Sequence, residues 1–386
     1  MDTADRWYKN AIVYCLDVET FQDSDGDGVG DFQGLVSRLD YLWSLGVSCV
    51  WLLPFYPSPN RDNGYDVIDY YGVDPRLGNL GDAAEFLQGA NERGIKVIID
   101  LVVNHTSDQH PWFEAARDRD SQYREYYVWS DEEPADAEEG VVFPGVQEST
   151  WTFDEKAGAY YHHRFYKHQP DLNIGNQKVR QEIRRIMGFW LALGVSGFRI
   201  DAAPFLIELP SAGKDDLTFE YLDDFYGFLS WHSAGAILLA EANVTHDQVL
   251  EYFGDGDRMQ MIFNFFLNQH VFLALARGEA EPIVRALKKQ PNIPPTAQWA
   301  NFLRNHDEID LGRLTEKERQ ECFEAFGPEP YMQLYERGVR RRLAPMLGGD
   351  RRRIEMAFSL AFSLPGTPVI WYGDEIGMGE DLSLPE

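Results

Sequence analysis

Little in this sequence supports a disulfide framework, a membrane span or a surface for polyanions. Only three cysteines, Cys15, Cys49 and Cys322, occur in 386 residues, an odd number too small to staple a scaffold. Two of them sit in apolar, strand-like runs, so all three are expected to be reduced core thiols of a cytoplasmic protein. No long stretch is free of charge or helix breakers. The nearest, 356–372, is divided by Pro365, Gly366 and Pro368 into a helix and a strand. The start, Met-Asp-Thr-Ala-Asp-Arg, has neither the basic nor the apolar region of a secretory leader. Basic residues are few, 35 against 63 acidic, and the net charge of -28 repels nucleic acid and anionic membranes at long range. The one basic concentration, Arg337, Arg340 to Arg342 and Arg351 to Arg353, is expected to form solvated helix faces. Internal repeats, low-complexity tracts, zinc-type Cys/His spacing and phosphate-binding glycine loops are all missing, and no organic cofactor is expected.

What is present is a large core. A hydrophobic fraction of 44% and an aromatic fraction of 14% exclude a disordered chain. Eight short apolar runs recur at 11–16, 47–53, 95–103, 197–200, 236–240, 259–263, 299–303 and 368–372. Most are continuous rather than alternating, as strands covered on both faces are. Helical spacing fills the intervals, for example Ile354, Ala357, Phe358 and Ala361 ahead of Pro365. Eight strand–helix alternations predict an α/β fold, a (β/α)₈ TIM barrel. Two intervals are too long for one helix. Residues 1–105 are read as the first part of the barrel, 106–172 as a subdomain inserted after strand three, and 173–386 as the second part. The last part carries a helical elaboration at 310–349 after strand seven.

Active sites of such barrels lie at the C-terminal strand ends, so polar residues that close an apolar run are the first candidates. Strand three ends in Asp100-Leu-Val-Val-Asn104-His105, strand four in Arg199-Ile-Asp201, strand five in Glu241-Ala-Asn243, and strand seven in Asn305-His306-Asp307-Glu308. Retaining glycoside chemistry needs a nucleophilic carboxylate and a second carboxyl that gives and then takes a proton, about 5–5.5 Å apart. Neighbouring strands four and five can supply that pair. Any one such carboxylate could instead cap a helix or pair with a base.

These four strand ends resemble the four signature regions of glycoside hydrolase family 13, the α-amylase family. Two further stretches, Gln169-Pro-Asp171-Leu-Asn173 and Gly366-Thr-Pro-Val-Ile-Trp-Tyr-Gly373-Asp374-Glu375, resemble other motifs of that family. Within it the likeness is greatest to the branch that interconverts maltose and trehalose by intramolecular glucosyl transfer. That likeness includes Trp51-Leu-Leu-Pro-Phe-Tyr-Pro-Ser58 and Arg340-Arg-Arg-Leu-Ala-Pro345. The resemblance implies Asp201 as nucleophile, Glu241 as general acid/base and Asp307 as the carboxylate that holds sugar hydroxyls in the transition state. Arg199, two residues from Asp201 on one strand face, is placed to favour its charged form. By the same resemblance His105 and His306 bind hydroxyls, Asp62 and Tyr65 cap and stack on the sugar, and Phe143 adds a second hydrophobic wall. The substrate implied is a small α-gluco-disaccharide or short oligosaccharide. A hydrolytic α-glucosidase or α-amylase stays open beside the transferase, as does a homo-oligomer. Two departures stand out. The stretch 143–151 differs from the usual sequence on the acceptor side, and the Arg-Thr-Pro-Met-Gln-Trp segment and C-terminal β-domain of family members do not occur before Glu386.

Asp23, Asp25, Asp27 and Asp31 alternate with small residues in a glycine-rich loop, the pattern hard cations require. It is half an EF-hand only, because Gly34 stands where the bidentate glutamate would be. A solvated acidic turn is the alternative. Similar family loops hold structural Ca²⁺ or Mg²⁺, with the Val29 carbonyl as a further ligand. Resemblance alone suggests a second site at Asn104, Asp171, the Phe205 and Leu206 carbonyls and Glu208.

Overall fold

The computed structural model describes residues 6–208 and 218–383. The leader-free start inferred from residues 1–5 lies outside them. Eight parallel strands close into a barrel: β1 (Val13–Leu16), β2 (Cys49–Leu52), β3 (Lys96–Leu101), β4 (Gly197–Ile200), β5 (Ile237–Ala240), β6 (Met261–Phe263), β7 (Gln298–Phe302) and β8 (Thr367–Trp371). Val13 of β1 pairs with Val369 of β8 and completes the ring.

Alternation of side chains across each strand divides the core in two. Val13, Cys15, Trp51, Ile98, Leu239, Phe263 and Phe302 fill the barrel interior. Their neighbours Tyr14, Leu16, Val50, Ile99, Phe198 and Leu238 face outward and pack beneath the surrounding helices. Burial on both faces is why the strands read as continuous apolar runs. The observed strands are shorter than those runs. Leu53, Val102 and Val103 are buried past the strand ends, because apolarity marks burial whereas a ladder also needs a bonded neighbour.

Segment 106–172 carries a three-stranded antiparallel sheet with Ala159–His162 between Trp129–Ser130 and Trp151–Asp154. Single bridges, His105 to Asp171 and Tyr127 to Leu172, tie its two ends together at the mouth of β3. The 310–349 insertion departs from the helical expectation. It holds the helix Glu316–Phe326, capped by a Thr315–Glu318 box, but also a three-stranded sheet of Ile309–Asp310, Gln333–Leu334 and Gly338–Val339. Strands of two residues carry no readable periodicity.

The expectation of solvated arginine faces also needs correction. Arg351 and Arg352 are exposed on the helix Arg351–Ser363, but Arg337, Arg341 and Arg342 lie outside helices and are tethered. Arg337 pairs with Asp310, Arg341 with Glu380 and Arg342 with Asp374, each partner brought from a distant segment. Among the described residues no helix is long and apolar enough to cross a membrane.

Candidate active site

Adjacent strands β4 and β5 bring the central carboxylates together. Gly197 permits the approach: a Cβ there would lie 2.4 Å from the Ile237 carbonyl oxygen of β5. Beyond β4 the chain turns sharply at Ala202, a non-glycine residue with φ of 50°. Such a conformation costs about 1–3 kcal/mol and is kept only where surrounding contacts enforce it. Here the Ala202 N–H donates to Glu241 Oε2 (3.2 Å) and the Ala203 N–H to the Glu241 carbonyl (3.2 Å). The strained turn is thereby fastened to the end of β5, with Asp201 at its tip.

Arg199 is the hub. It is 1% exposed, and its Nη1 donates to Asp201 Oδ1 (2.6 Å), to Asp100 Oδ1 and to the Tyr65 hydroxyl (3.2 Å), while Nη2 donates to Glu241 Oε2 (2.8 Å). One guanidinium therefore faces three carboxyl groups, and all three cannot ionise cheaply in a buried site. Burial pushes Asp100 up to about 7 against the pull of Arg199, and pushes Glu241 up to about 7. Asp201 is raised by burial too, but Arg199 and a hydrogen bond from Glu241 oppose the rise. Burial thus favours the protonated form of Glu241, while Arg199 favours the charged form of Asp201, the division of labour a proton donor beside a nucleophile requires.

Asp307 enters from the end of β7. Its side chain stays 41% exposed to the mouth, yet surrounding protein raises its carboxyl by burial against Arg199 and Arg304. His306 Nε2 lies 2.8 Å from the Tyr65 hydroxyl and 3.3 Å from Asp307 Oδ1. Its ring lies parallel to that of Tyr65 at 5.5 Å. Burial and then Arg199 lower His306 to about 3, so the ring is neutral. Asp62 accepts from Gln169 Nε2 (2.6 Å), and burial raises it to about 6. Asp62, Tyr65, Arg199, Asp201, Glu241, His306 and Asp307 therefore form one connected mouth.

His105 lies beneath the mouth. It is 2% exposed, with Nε2 against the Tyr65 carbonyl (3.2 Å), so its polar edge supports the loop that carries Tyr65. Phe143 lies further out, stacked on Tyr166 at 4.8 Å. Three residues given no role from sequence belong to the same assembly. Asp100 accepts from Trp51 Nε1 (2.7 Å) and lies opposite Arg199 in the β3–β4 register. Gln169 holds Asp62, and the buried Arg304 donates to the Asp307 carbonyl and to that of Arg341 (2.6 Å). Asp100 lies inside an apolar run whereas Asp201 ends one, and only the register shows that both share one arginine.

The two candidate cation sites differ. Carboxylate oxygens of Asp23, Asp25 and Asp27 lie within 4.8 Å of one another, an all-oxygen set that fits a hard divalent ion. Asp31 also has protein partners: Oδ1 caps the helix Phe32–Ser37 through the Gly34 N–H, and Oδ2 accepts from Ser24. The Val29 N–H is bound to Asp27, which leaves its carbonyl as the group a cation could use. Asn104, Asp171, Phe205, Leu206 and Glu208 line one small cavity with His162 and Arg164, and their oxygens also fit a hard ion. Protein groups already compete there, since His162 Nδ1 lies 3.0 Å from Asp171 and Arg164 donates to Glu208 (3.1 Å).

Residues 17–326 match the family model "Alpha amylase, catalytic domain". The chain belongs to the α-amylase family. Among its relatives, a trehalose synthase of Thermus thermophilus is 48% identical over 97% of this chain. A protein named trehalose synthase/amylase from Mycobacterium tuberculosis is 45% identical over 98% of it. The chain spans 39% and 64% of the lengths of these two relatives. Among solved structures, the trehalulose synthase of Pseudomonas mesoacidophila is similar with a TM-score of 0.76 and 28% identity, over 97% of this chain and 66% of that one.

Proposed function

We propose that this chain is an α-retaining glucosyl-transfer enzyme that interconverts maltose and trehalose within one closed pocket. The observation that carries the chemistry is the carboxyl cluster on Arg199, in which burial raises Glu241 to about 7 while Arg199 donates to Asp201 at 2.6 Å. Asp201 attacks the anomeric carbon of the bound disaccharide while Glu241 protonates the departing glucose oxygen. Glu241, now a carboxylate, takes the proton from the incoming hydroxyl as the bond to Asp201 breaks. Two inversions retain the α configuration. Asp307 holds hydroxyls of the reacting glucose and strengthens its hold as positive charge develops on the ring.

Transfer is favoured over hydrolysis by the likeness to a relative named trehalose synthase, and by the contact of Phe143 with Tyr335 between the two insertions. Structural Ca²⁺ or Mg²⁺ at Asp23, Asp25 and Asp27, and a second ion at Asn104, Asp171 and Glu208, would add rigidity to loops rather than take part in the bond exchange. Three buried, unpaired thiols support a cytoplasmic setting. The test is incubation of the purified chain with maltose, with trehalose resolved from glucose over time. Trehalose as the main early product is expected. Glucose as the main product throughout, with labelled free glucose never entering trehalose, assigns the chain to hydrolysis instead.

A further inference from the structure

An aromatic wall runs from the floor of the mouth to the 310–349 insertion. His105 meets Phe165 edge to face at 5.3 Å, and Phe165 meets Phe143 at 5.9 Å. Phe143 then meets Tyr335 at 4.8 Å, across the gap between the two insertions. Tyr166, stacked on Phe143, brings its hydroxyl to 3.5 Å from that of Tyr335.

Tyr335 reaches this position through a strained turn. The strands Gln333–Leu334 and Gly338–Val339 pair, and the Arg337 N–H closes the turn on the Leu334 carbonyl at 3.1 Å. Its two central residues, Tyr335 and Glu336, have φ of 50° and 59°. Two consecutive left-handed residues form the mirror-image turn that normally takes Asn and Gly. A tyrosine here keeps a costly backbone in order to present a ring, and contacts on both sides hold it. Arg337 donates from both terminal nitrogens to the Val142 carbonyl (3.3 Å each) and pairs with Asp310. The hairpin also rests on the carboxylate strand end: Gly338 pairs with Asp310, and a Cβ on Gly338 would strike Glu308, next to Asp307.

We propose that Tyr335 is a specificity-determining residue that closes the acceptor side against Phe143 and sets how the glucosyl–Asp201 ester is shared between glucose and water. This rests on the transfer reading above. In either outcome an acceptor O–H attacks the anomeric carbon, the ester bond returns its electron pair to Asp201, and the acceptor proton passes to Glu241. Only the acceptor differs, so a ring that retains the freed glucose and excludes water changes the product ratio without altering the bonds exchanged.

The experiment compares Tyr335→Asn, Tyr335→Phe and the wild-type chain on maltose, reading trehalose and glucose together with the melting temperature. Asn removes the ring yet suits the left-handed backbone, so it separates loss of the wall from loss of the fold. The expected result is a fall of about tenfold in the trehalose-to-glucose ratio for Tyr335→Asn, larger than any fall in maltose consumed, and a near wild-type ratio for Tyr335→Phe. An unchanged ratio in Tyr335→Asn, from a wild-type chain that does form trehalose, overturns the role of Tyr335 alone. A wild-type chain that yields only glucose, or neither product, overturns the transfer reading with it.

Discussion

The barrel mouth and the 23–31 loop each gather at least three carboxyl groups, and their surroundings drive them in opposite directions. At the mouth, burial raises Asp201, Glu241 and Asp307, against the pull of the buried guanidinium of Arg199 and, at Asp307, that of Arg304 as well. In the loop, Asp23 is half-buried beside the exposed Asp25 and Asp27, and the N–H groups of Gly26 and Gly28 hold its carboxyl below the ordinary range. Acid clusters are therefore not alike by composition. A desolvated cluster stores a proton and can do acid–base work, whereas a solvated one stays ionised and can attract a cation from outside.

The sharpest test of this contrast is at the mouth itself. Asp201→Asn and Glu241→Gln should each lower turnover on maltose by at least about 10³-fold while leaving the far-ultraviolet circular dichroism unchanged, because volume is kept and a reactive group lost. Near-normal activity in either variant removes the assignment of that residue.

Next comes the hub. Arg199→Ala leaves Asp100 and its neighbours buried without their cation and should destabilise the fold by about 3–5 kcal/mol in denaturant titration. A change below about 1 kcal/mol would mean that the mouth is as solvated as the 23–31 loop, and the contrast would collapse.

A smaller effect is expected from pH, with opposite signs in the two regions. Glu241 is raised from 4.5 to about 7, so its contribution to stability is present below pH 4.5 and is lost as pH rises toward 7. The acid form that starts glucosyl transfer disappears above the same point, and the rate should fall about tenfold per pH unit there. Asp23 is depressed, so its contribution is present above the ordinary carboxylate range and is lost only as the solution becomes acidic. Glu241→Gln should lessen the loss between pH 4.5 and 7, to which Asp100 and Asp62 also contribute, and leave the acid limb alone, and Asp23→Asn should do the reverse.

The smallest effect belongs to the loop. Chelation, or Asp27→Ala in its place, should lower the melting temperature by roughly 2–4 °C while the turnover of maltose hardly changes. Identical melting curves before and after metal analysis shows the ion removed would sink the cation reading.

Several features were legible before any fold was known because they are local. Continuous apolar runs mark strands buried on both faces, and polar residues that stop such runs mark the mouth; Asp201, Glu241 and Asp307 all lie at such stops. Other features depend on which segments meet. Asp100 is a lone acid inside an apolar run, and its union with Arg199 is a matter of β3–β4 register. Asp31 fits a ligand spacing, and only the fold adds that one of its oxygens caps a helix start. Arg337, Arg341 and Arg342 look alike as a basic run, and three remote acids separate them.

The sequence by itself determined the barrel, the family and the residue types gathered at its mouth, since hydrophobic period and short motifs are properties of neighbours along the chain. Only the tertiary structure decided that one arginine serves three carboxyl groups, that His105 faces a backbone carbonyl, and that Tyr335 meets Phe143. Proton affinity and pocket closure come from desolvation and from contacts between residues separated by tens to hundreds of positions, and no local pattern encodes either.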